Sequence, residues 1–215
     1  MGQMNLRWHT DDLPHQLSQC LSSDVSAHVA RGFSPALSFG RHQGPAQPDS
    51  RHAAVMILIY REGNKWMLPL TLRQSHLSAH PNQISLPGGS VDPGESNRTA
   101  AIREMEEELG FRCREENVLG TLAPVFVFNS NFLVQPWVSW TAEAPEWKPN
   151  PAEVAEIICV PLTTLLDTKS FDEHTVHRGR LQFTAPSIRV GKHQIWGATR
   201  VILAGLAACL TTLDR

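Results

Sequence analysis

Hydrophobic positions from residue 53 onward occur in short runs that are separated by turn-forming residues. The run AAVMILIY, which begins at Ala53, is continuous and therefore predicts a buried strand. REGNK predicts the turn that follows, and WMLPLTLR predicts a second strand, so the two form a hairpin. By the same pattern we predict further strands at 119–127, 132–140, 154–160, 179–183 and 187–190.

Helices are predicted at fewer places along the chain. Good helix formers after Ser96 predict a helix over 97–109, Pro161 opens a short helix through Leu166, and residues 196–210 predict a closing helix packed on the sheet. Strands interleaved with a few helices indicate an α/β (α+β) fold in which a mixed β-sheet lies between helical layers. A regular βαβ repeat is not expected.

The N-terminal stretch differs in pattern from the rest of the chain. Residues 13–29 predict one or two short amphipathic helices, and residues 40–50, with their Gly, Pro and His, predict an exposed linker. We therefore expect an N-terminal helical appendage and linker at 1–50 and the main domain at 51–215.

Composition narrows the range of functions. The 215 residues carry a formal net charge of −2, and the Lys and Arg residues are scattered. A nucleic-acid groove or a polybasic membrane patch would need clustered basic residues, so neither is expected. The N-terminus lacks the pattern of a secretory signal, and the apolar stretch VILAGLAACL is too short to span a bilayer. We therefore expect a cytoplasmic protein.

The cysteines do not indicate a zinc site or a redox motif, because none of them is paired at the required spacing. We expect them to be reduced and mostly buried. They are Cys20, Cys113, Cys159 and Cys209.

The segment GSVDPGESNRTAAIREMEEELGF, residues 89–111, concentrates acidic residues around the start of a helix. Its Gly and Pro residues predict a loop, and Ser96 with Thr99 supplies capping groups for the helix that follows. At about 100° per residue, Ile102, Met105 and Leu109 share one face, which we predict to be buried. The opposite face carries the carboxylates of Glu104, Glu107 and Glu108.

These three carboxylates repel one another, so we expect a cation among them. Mg²⁺ and Mn²⁺ take oxygen ligands and share them with substrate phosphates, which suits a glutamate cluster without His or Cys better than zinc does. An ion pair between Arg103 and Glu95 is expected to brace the loop against the helix. Taken alone, an acidic run is usually a solvated helix face, so the wider pattern decides.

The wider pattern is G-x5-E-x7-R-E-U-x-E-E-x-G-U, where U is apolar, and it resembles the signature of the Nudix hydrolases. These enzymes cut a nucleoside diphosphate that is linked to another moiety. The resemblance implies a Nudix-type α/β/α sandwich and a divalent-metal-dependent pyrophosphatase. It assigns Glu104 and Glu108 as principal metal ligands, Glu107 as a third ligand or the holder of a metal-bound water, and the Gly89 carbonyl as a further ligand.

The upstream segment LTLRQSHLSAHPNQISLPGG, residues 70–89, resembles the extra motif of the coenzyme A pyrophosphatase branch, L-L-T-x-R-[SA]-x3-R-x3-G-x3-F-P-G-G. The matching positions are Leu70, Thr71, Arg73, Pro87, Gly88 and Gly89. The departures are Pro69, Gln74, Ser78, Asn82 and Leu86. Serine in place of arginine at position 78 removes a cation that could hold a phosphate. The fragments FLVQPWV, NPAEVAEIICVPL and HQIWGATRVIL also resemble this branch.

The resemblance to this branch implies hydrolysis of coenzyme A to 3′,5′-ADP and 4′-phosphopantetheine. The general base is then either a box glutamate or one from a later loop, with Glu153 and Glu156 as candidates. We place Glu107, Glu108, Arg103 and Glu153 in the catalytic set. Arg73 is expected to contact the substrate phosphates, with a plain strand-edge arginine as the alternative.

Other candidates for contact with the nucleotide have commoner structural roles. His76 and His80 flank the upstream loop, where solvent-facing histidines are the usual case. Phe132, Trp137 and Trp140 could stack on adenine, although aromatic residues at strand spacing are more often part of a core.

Two alternatives to a coenzyme A pyrophosphatase stay open from the sequence. One is a Nudix hydrolase for another dinucleotide, such as ADP-ribose or NADH, and the other is a catalytically silent Nudix domain that senses nucleotides. In each case the partner is a small nucleotide rather than nucleic acid or membrane. A homodimer is compatible with the sequence, which does not locate the exposed apolar patch that such an interface would need.

Overall fold

A computed structural model of the chain describes residues 12–23, 46–77, 80–178 and 181–214. The helices are α1 (Leu13–Leu21), α2 (Asn97–Leu109) and α3 (Gly197–Leu213). The strands are β1 (Arg51–Glu62), β2 (Lys65–Arg73), β3 (Ile84–Ser85), β4 (Gly88–Ser90), β5 (Val118–Thr121), β6 (Val125–Val127), β7 (Phe132–Thr141), β8 (Val154–Pro161), β9 (Phe171–Arg178), β10 (Leu181–Val190) and β11 (His193–Ile195). Short 3₁₀ helices lie at Glu115–Asn117, Phe128–Ser130, Leu162–Leu165 and Thr168–Ser170.

The strands form two sheets. The main sheet has the order β3-β2-β1-β7-β5, with β4 paired to β1, β6 to β7 and β8 to β2. Strands β1 and β7 run parallel, with Ala53 opposite Val134, and the other pairs in this sheet are antiparallel. The predicted mixed sheet is therefore confirmed. Strands β9, β10 and β11 form a second, antiparallel sheet.

The central strand β1 is buried on both faces, as its continuous apolar sequence predicts. Side chains of a strand point alternately to opposite faces. Ala54, Met56 and Leu58 pack in one cluster with α2, whereas Ile57 and Ile59 pack in another with α1 and α3. The sheet consequently lies between helical layers, which confirms the predicted α/β/α arrangement.

Helix α1 packs into the core of the main domain. Leu13 and Leu17 are fully buried in the same cluster as Leu203 and Leu206 of α3. The rest of the predicted helical stretch, residues 24–29, and most of the predicted linker, residues 40–45, lie outside the described residues. The domain boundary between residues 50 and 51 stays a prediction. The described helix of the N-terminal segment, α1, packs in the same core as the main sheet.

Several predicted strands differ in detail from the observed ones. The predicted strand 119–127 is two strands, β5 and β6, because Pro124 has no N–H to continue a ladder. The predicted strands 179–183 and 187–190 correspond to the single strand β10, although residues 179 and 180 lie outside the described part. Pro186 fits inside β10 because it lies beyond the positions that pair with β11, which begin at Ile188.

Strand β9 has no counterpart among the predicted elements. Its sequence, FDEHTVHR, is largely polar and lacks the apolar alternation of a half-buried strand. It forms because its backbone pairs with β10 from Phe171 to Arg178. Pairing with the next strand, rather than its own apolar pattern, therefore decides this element.

The remaining predictions concern cysteines and membrane spans. Cys20, Cys113 and Cys209 are buried, Cys159 is partly buried, and all four are free thiols, as expected. Within the described ranges, no helix combines the length and the apolar character needed to cross a membrane.

Candidate active site

Helix α2 spans the predicted residues 97–109 and is capped at both ends. Ser96 has an extended backbone, and its Oγ accepts the Thr99 N–H at 3.1 Å. Gly110 ends the helix in the left-handed conformation, with φ of 69°, and its N–H donates to the Glu106 carbonyl. A side chain at Gly110 would also overlap Lys148, so both the backbone conformation and the lack of space favour glycine at this position.

The two faces of α2 divide as predicted. Ile102, Met105 and Leu109 are buried against the sheet. On the other side the carboxylates differ widely in solvent contact, because the side chains of Glu108, Glu104 and Glu107 are 2%, 15% and 53% exposed. The acidic residues therefore do not form a uniformly solvated face.

Arg103 connects the helix to the loop before it. Its Nε and Nη2 each donate to Glu95 at 3.0 Å, one to each carboxylate oxygen, so the predicted ion pair is present and bidentate. Nη2 also donates to the Ser90 carbonyl, and Nη1 donates to Glu104 at 2.9 Å and to Glu107 at 3.0 Å. The hydrogen bonds from Arg103 lower the pKa of Glu95.

Glu108 is the most deeply buried carboxylate of the cluster. Desolvation raises its pKa to about 8, partly opposed by Arg73, while the charges of Glu104 and Glu153 raise it further. Arg73 Nη1 lies 3.7 Å from Glu108 Oε1, and Oε2 has no hydrogen-bond partner. Burial is also the main cause that raises the pKa of Glu104. An additional positive charge nearby would therefore stabilise the ionised forms of Glu104 and Glu108.

The loop over 148–154 brings Glu153 to this cluster. The N–H of Lys148 donates to the Leu109 carbonyl and the N–H of Asn150 donates to the Glu108 carbonyl, both at 2.9 Å, so the loop is tied to the end of α2. The charge of Glu153 acts on both Glu104 and Glu108.

Glu156, the other candidate base, faces away from this cluster. His193 Nε2 and Lys192 Nζ each lie 3.2 Å from its carboxylate. The hydrogen bond with His193 is the main cause that lowers the pKa of Glu156. The structure separates the two candidates, which the sequence leaves equal.

The residues present fit a hard divalent cation, although the described residues hold no preformed group of three His, Cys, Asp or Glu arranged around one point. Glu108 Oε2 is buried without a partner, which leaves a carboxylate oxygen for a cation. A methyl group on Gly89 would overlap the Glu104 carboxylate, so this backbone and this side chain lie against each other. Carboxylate and carbonyl oxygens are the ligands that Mg²⁺ and Mn²⁺ prefer.

A cleft of about 730 Å³ is lined by Arg73, the ion-pair partner of Glu108. Arg73, Gly88 and Gly89 line its polar end. Its apolar wall is formed by residues from several elements, including Ile84, Leu86, Val127, Phe132, Val134, Phe183, Trp196 and Ile202. A cleft of this size and character is typical of small-molecule sites.

Of the remaining candidates for contact with the nucleotide, some line the cleft and others do not. Phe132 lines the cleft, with the Arg51 guanidinium 4.1 Å from its ring centroid, whereas Trp137 and Trp140 pack against the cores. His80 lines the cleft with Nδ1 2.9 Å from Gln83 Oε1, and His76 is exposed. Ser78 lies outside the described residues.

Sequence reasoning missed the wall that the second sheet supplies. Residues 182–186 of β10 line the cleft, including Phe183, and Trp196 and Thr199 line it at the start of α3. Phe128, in the 3₁₀ helix before β7, also lines the cleft and is half exposed. For Phe128 and Phe183 the one signal is that their aromatic side chains are solvent-exposed, and exposure is visible only in the folded chain.

Comparison with known proteins identifies relatives across most of the chain. The NUDIX domain family matches residues 50–179. The uncharacterized Nudix hydrolase NudL of Photorhabdus laumondii is 37% identical over 162 residues, which are 74% of this chain and 84% of that protein. The mitochondrial coenzyme A diphosphatase NUDT8 of Homo sapiens is 33% identical over 190 residues, which are 86% of this chain and 78% of that protein.

A solved structure supports the same fold. The crystal structure of a MutT/nudix family protein from Enterococcus faecalis matches with a TM-score of 0.51 at 19% identity, covering 86% of this chain and 72% of that one. The family match over residues 50–179 spans more than half of the sequence, and the NudL relative is 37% identical. The chain therefore belongs to the Nudix hydrolase family.

Proposed function

We propose that this Nudix hydrolase uses a divalent cation, Mg²⁺ or Mn²⁺, to hydrolyse the diphosphate of coenzyme A or its derivatives to 3′,5′-ADP and 4′-phosphopantetheine. The observation that carries the proposal is a buried carboxylate, Glu108, with one unpartnered oxygen and an ion pair to Arg73, which lines a cleft large enough for part of such a substrate. The motif at 70–89 and the similarity to a mitochondrial coenzyme A diphosphatase support the choice of substrate.

The proposed metal ligands are Glu104, Glu107, Glu108 and the Gly89 carbonyl. A divalent cation bound there supplies charge neutralisation at the phosphates and lowers the pKa of a bound water. Arg103 and Glu95 keep the helix and the preceding loop in register, because their bidentate pair joins the two. The same guanidinium orients Glu104 and Glu107, which otherwise repel each other.

Proton transfer is assigned to Glu153 ahead of Glu156. The Glu153 carboxylate lies where its charge acts on Glu104 and Glu108, so it is near the reacting phosphorus of a substrate held there. In this assignment it accepts the proton of the attacking water. Glu156 has its carboxylate engaged by His193 and Lys192.

Arg73 is assigned to the substrate phosphates, since it lines the cleft next to Gly88 and Gly89. A guanidinium can hold phosphate oxygens with parallel hydrogen bonds. The apolar wall of the cleft excludes water from one end of the bound molecule and can receive its adenine or pantetheine portion.

Product analysis tests the substrate. The chain is incubated with coenzyme A and Mg²⁺ or Mn²⁺, in parallel with ADP-ribose and NADH, and the products are separated. We expect 3′,5′-ADP and 4′-phosphopantetheine from coenzyme A. Turnover of ADP-ribose or NADH without turnover of coenzyme A would contradict the substrate assignment and leave the chemistry intact.

The variant Glu108→Gln tests whether the domain is catalytic rather than a silent nucleotide binder. We expect activity to fall by more than about 100-fold, because residues that only support a metal ligand already account for 10–100-fold. Cation-induced stabilisation measured by thermal unfolding should be lost with it. A wild-type protein that binds nucleotide and shows no activity to lose would favour the silent domain.

A further inference from the structure

Arg73 lies between the buried carboxylate of Glu108 and the cleft. It is the last residue of β2, where the pairing with β8 shifts register between Leu72 and Arg73. Its N–H donates to the Gln83 carbonyl at 3.0 Å, which holds the backbone in place. Its guanidinium reaches Glu108 at 3.7 Å and also lines the cleft. One side chain thus borders both the carboxylate and the space for the substrate.

Glu108 needs a nearby positive charge because its side chain is removed from water. A desolvated carboxylate without a counter-ion is strongly unfavourable. Arg103 is committed to Glu95, Glu104 and Glu107, whereas Arg73 forms the ion pair with Glu108 that the structure records in the described part of the chain. Arg73 therefore supplies the counter-charge whenever the Glu108 carboxylate is ionised and no metal ion is bound.

We propose that Arg73 is a displaceable counter-ion, which pairs with Glu108 in the metal-free protein and turns to the substrate diphosphate when a divalent cation binds at Glu108. A cation at this carboxylate takes over the neutralisation and repels the guanidinium, since both would lie beside the same carboxylate. The long arginine side chain can turn while its backbone stays fixed by Gln83. Metal binding thus releases the Arg73 guanidinium from Glu108 and leaves it available to bind phosphate in the cleft.

This inference rests on the proposed function for the identity of the substrate but not for the exchange of partners. If Arg73 were a static phosphate ligand, it would contribute equally to anion binding with and without the metal ion. A displaceable counter-ion holds the anion only after the metal ion has released it from Glu108. The effect of removing Arg73 must therefore depend on the metal ion.

Binding of methylenediphosphonate, a diphosphate that is not hydrolysed, distinguishes the two cases. Its affinity for wild type and Arg73→Gln is measured by calorimetry with and without saturating Mg²⁺. We expect the substitution to weaken binding about tenfold with Mg²⁺ and to change it less than about twofold without Mg²⁺. Equal weakening in both conditions, or no weakening with Mg²⁺, would overturn the proposal.

The matched control is Arg112→Gln, which also removes one positive charge and one ion pair, with Glu106, from the end of α2. It should leave the affinity for methylenediphosphonate at its wild-type value both with and without Mg²⁺. Should Arg73→Gln fail to fold, the wild-type protein still provides a test, because the Arg73 Nε–H resonance should shift and exchange faster with water as Mg²⁺ is added. An unchanged Arg73 signal in Mg²⁺-saturated protein would refute the exchange.

These outcomes are separate from those of the substrate assay. A protein that hydrolyses coenzyme A and shows the same effect of Arg73→Gln in both conditions keeps its function and loses the exchange mechanism. A protein that shows the metal-dependent effect but hydrolyses another dinucleotide keeps the mechanism and loses the substrate. Failure to bind Mg²⁺ at all would overturn both.

Discussion

The side chain of Arg103 illustrates how one residue organises several negative charges. It donates to Glu95, Glu104 and Glu107 and to a backbone carbonyl of β4, so the loop and the helix cannot shift independently. Each partner gains a cation without becoming fully buried, because the side chains of Glu95, Glu104 and Glu107 are 12%, 15% and 53% exposed. The arrangement keeps the acidic face in a defined geometry before any metal ion binds.

The lowered pKa of Glu95 predicts a specific dependence of stability on pH. Because its folded-state pKa lies below the unfolded value, Glu95 contributes stability that is present above the unfolded pKa and is lost as the pH falls through the folded pKa. We expect the free energy of unfolding of wild type to fall more steeply between about pH 5 and pH 3 than that of Glu95→Gln. Urea unfolding at stepped pH values measures both curves, and parallel curves would contradict the assignment.

At the scale of elements, the loop 148–154 is anchored by Gln74, the residue that follows β2. Gln74 Nε2 donates to the Pro151 carbonyl and the Gln74 N–H donates to the Glu153 carbonyl, each at 2.9 Å. The related motif has serine or alanine at this position, and neither side chain is long enough to make the Nε2 contact. The departure of this chain from the motif therefore coincides with a contact that positions Glu153.

Replacing Gln74 by alanine should loosen this loop. We expect a loss of about 1 kcal/mol in the free energy of unfolding, the usual value for one hydrogen bond, and a several-fold fall in kcat because Glu153 is held less firmly. Denaturant unfolding and steady-state kinetics measure the two effects. Gln19→Ala on the exposed side of α1 is the control and should change neither. An unchanged kcat in Gln74→Ala would remove the link to Glu153.

Helix α3 offers a test of packing at a single glycine. A methyl group at Gly205 would meet Leu122 at 3.6 Å, an ordinary contact, and would reduce the conformational freedom of the unfolded chain. We expect Gly205→Ala to raise the free energy of unfolding by about 0.5–1 kcal/mol. Gly110→Ala should do the opposite, because Gly110 has φ of 69° and its methyl group would overlap Lys148. Urea unfolding measures the free energy of unfolding of both variants. Destabilisation by Gly205→Ala would contradict the packing described.

At the scale of the whole molecule, the cleft is a joint product of both sheets. The main sheet supplies its polar end through Arg73, Gly88 and Gly89, while β10 and the start of α3 supply an apolar wall. Residues separated by more than a hundred positions, such as Arg73 and Phe183, line the same space. A substrate bound as proposed would therefore contact both the polar end of the main sheet and the wall built by the second sheet.

Phe183 allows this division to be tested. It lines the cleft and is 39% exposed, whereas Phe171 is 41% exposed and lies outside the cleft lining, beside Arg200. We expect Phe183→Ala to raise KM roughly tenfold with little change in kcat, since about 1.4 kcal/mol of apolar contact corresponds to a factor of ten. Steady-state kinetics with Phe171→Ala as control measures this. An equal effect of the two variants would exclude Phe183 from the substrate site.

Local sequence predicts much of the fold and of the charged end of the site. The boundaries of α2 follow from the Ser96 cap and the Gly110 stop, and its faces follow from helical periodicity. Strands β1 and β2 follow from uninterrupted apolar runs. By contrast, β9 has no apolar pattern and could not be predicted, because it forms only through pairing with β10.

The sequence by itself determined the acidic helix, the loop that precedes it and the family, because caps, turns and periodicity act over a few neighbouring residues. Only the tertiary structure decided that the charge of Glu153 rather than that of Glu156 acts on Glu104 and Glu108, that Arg73 pairs with Glu108, and that α1 belongs to the core. The physical reason is that these contacts join residues far apart in the chain. Their geometry depends on how the sheets and helices pack, which no local pattern records.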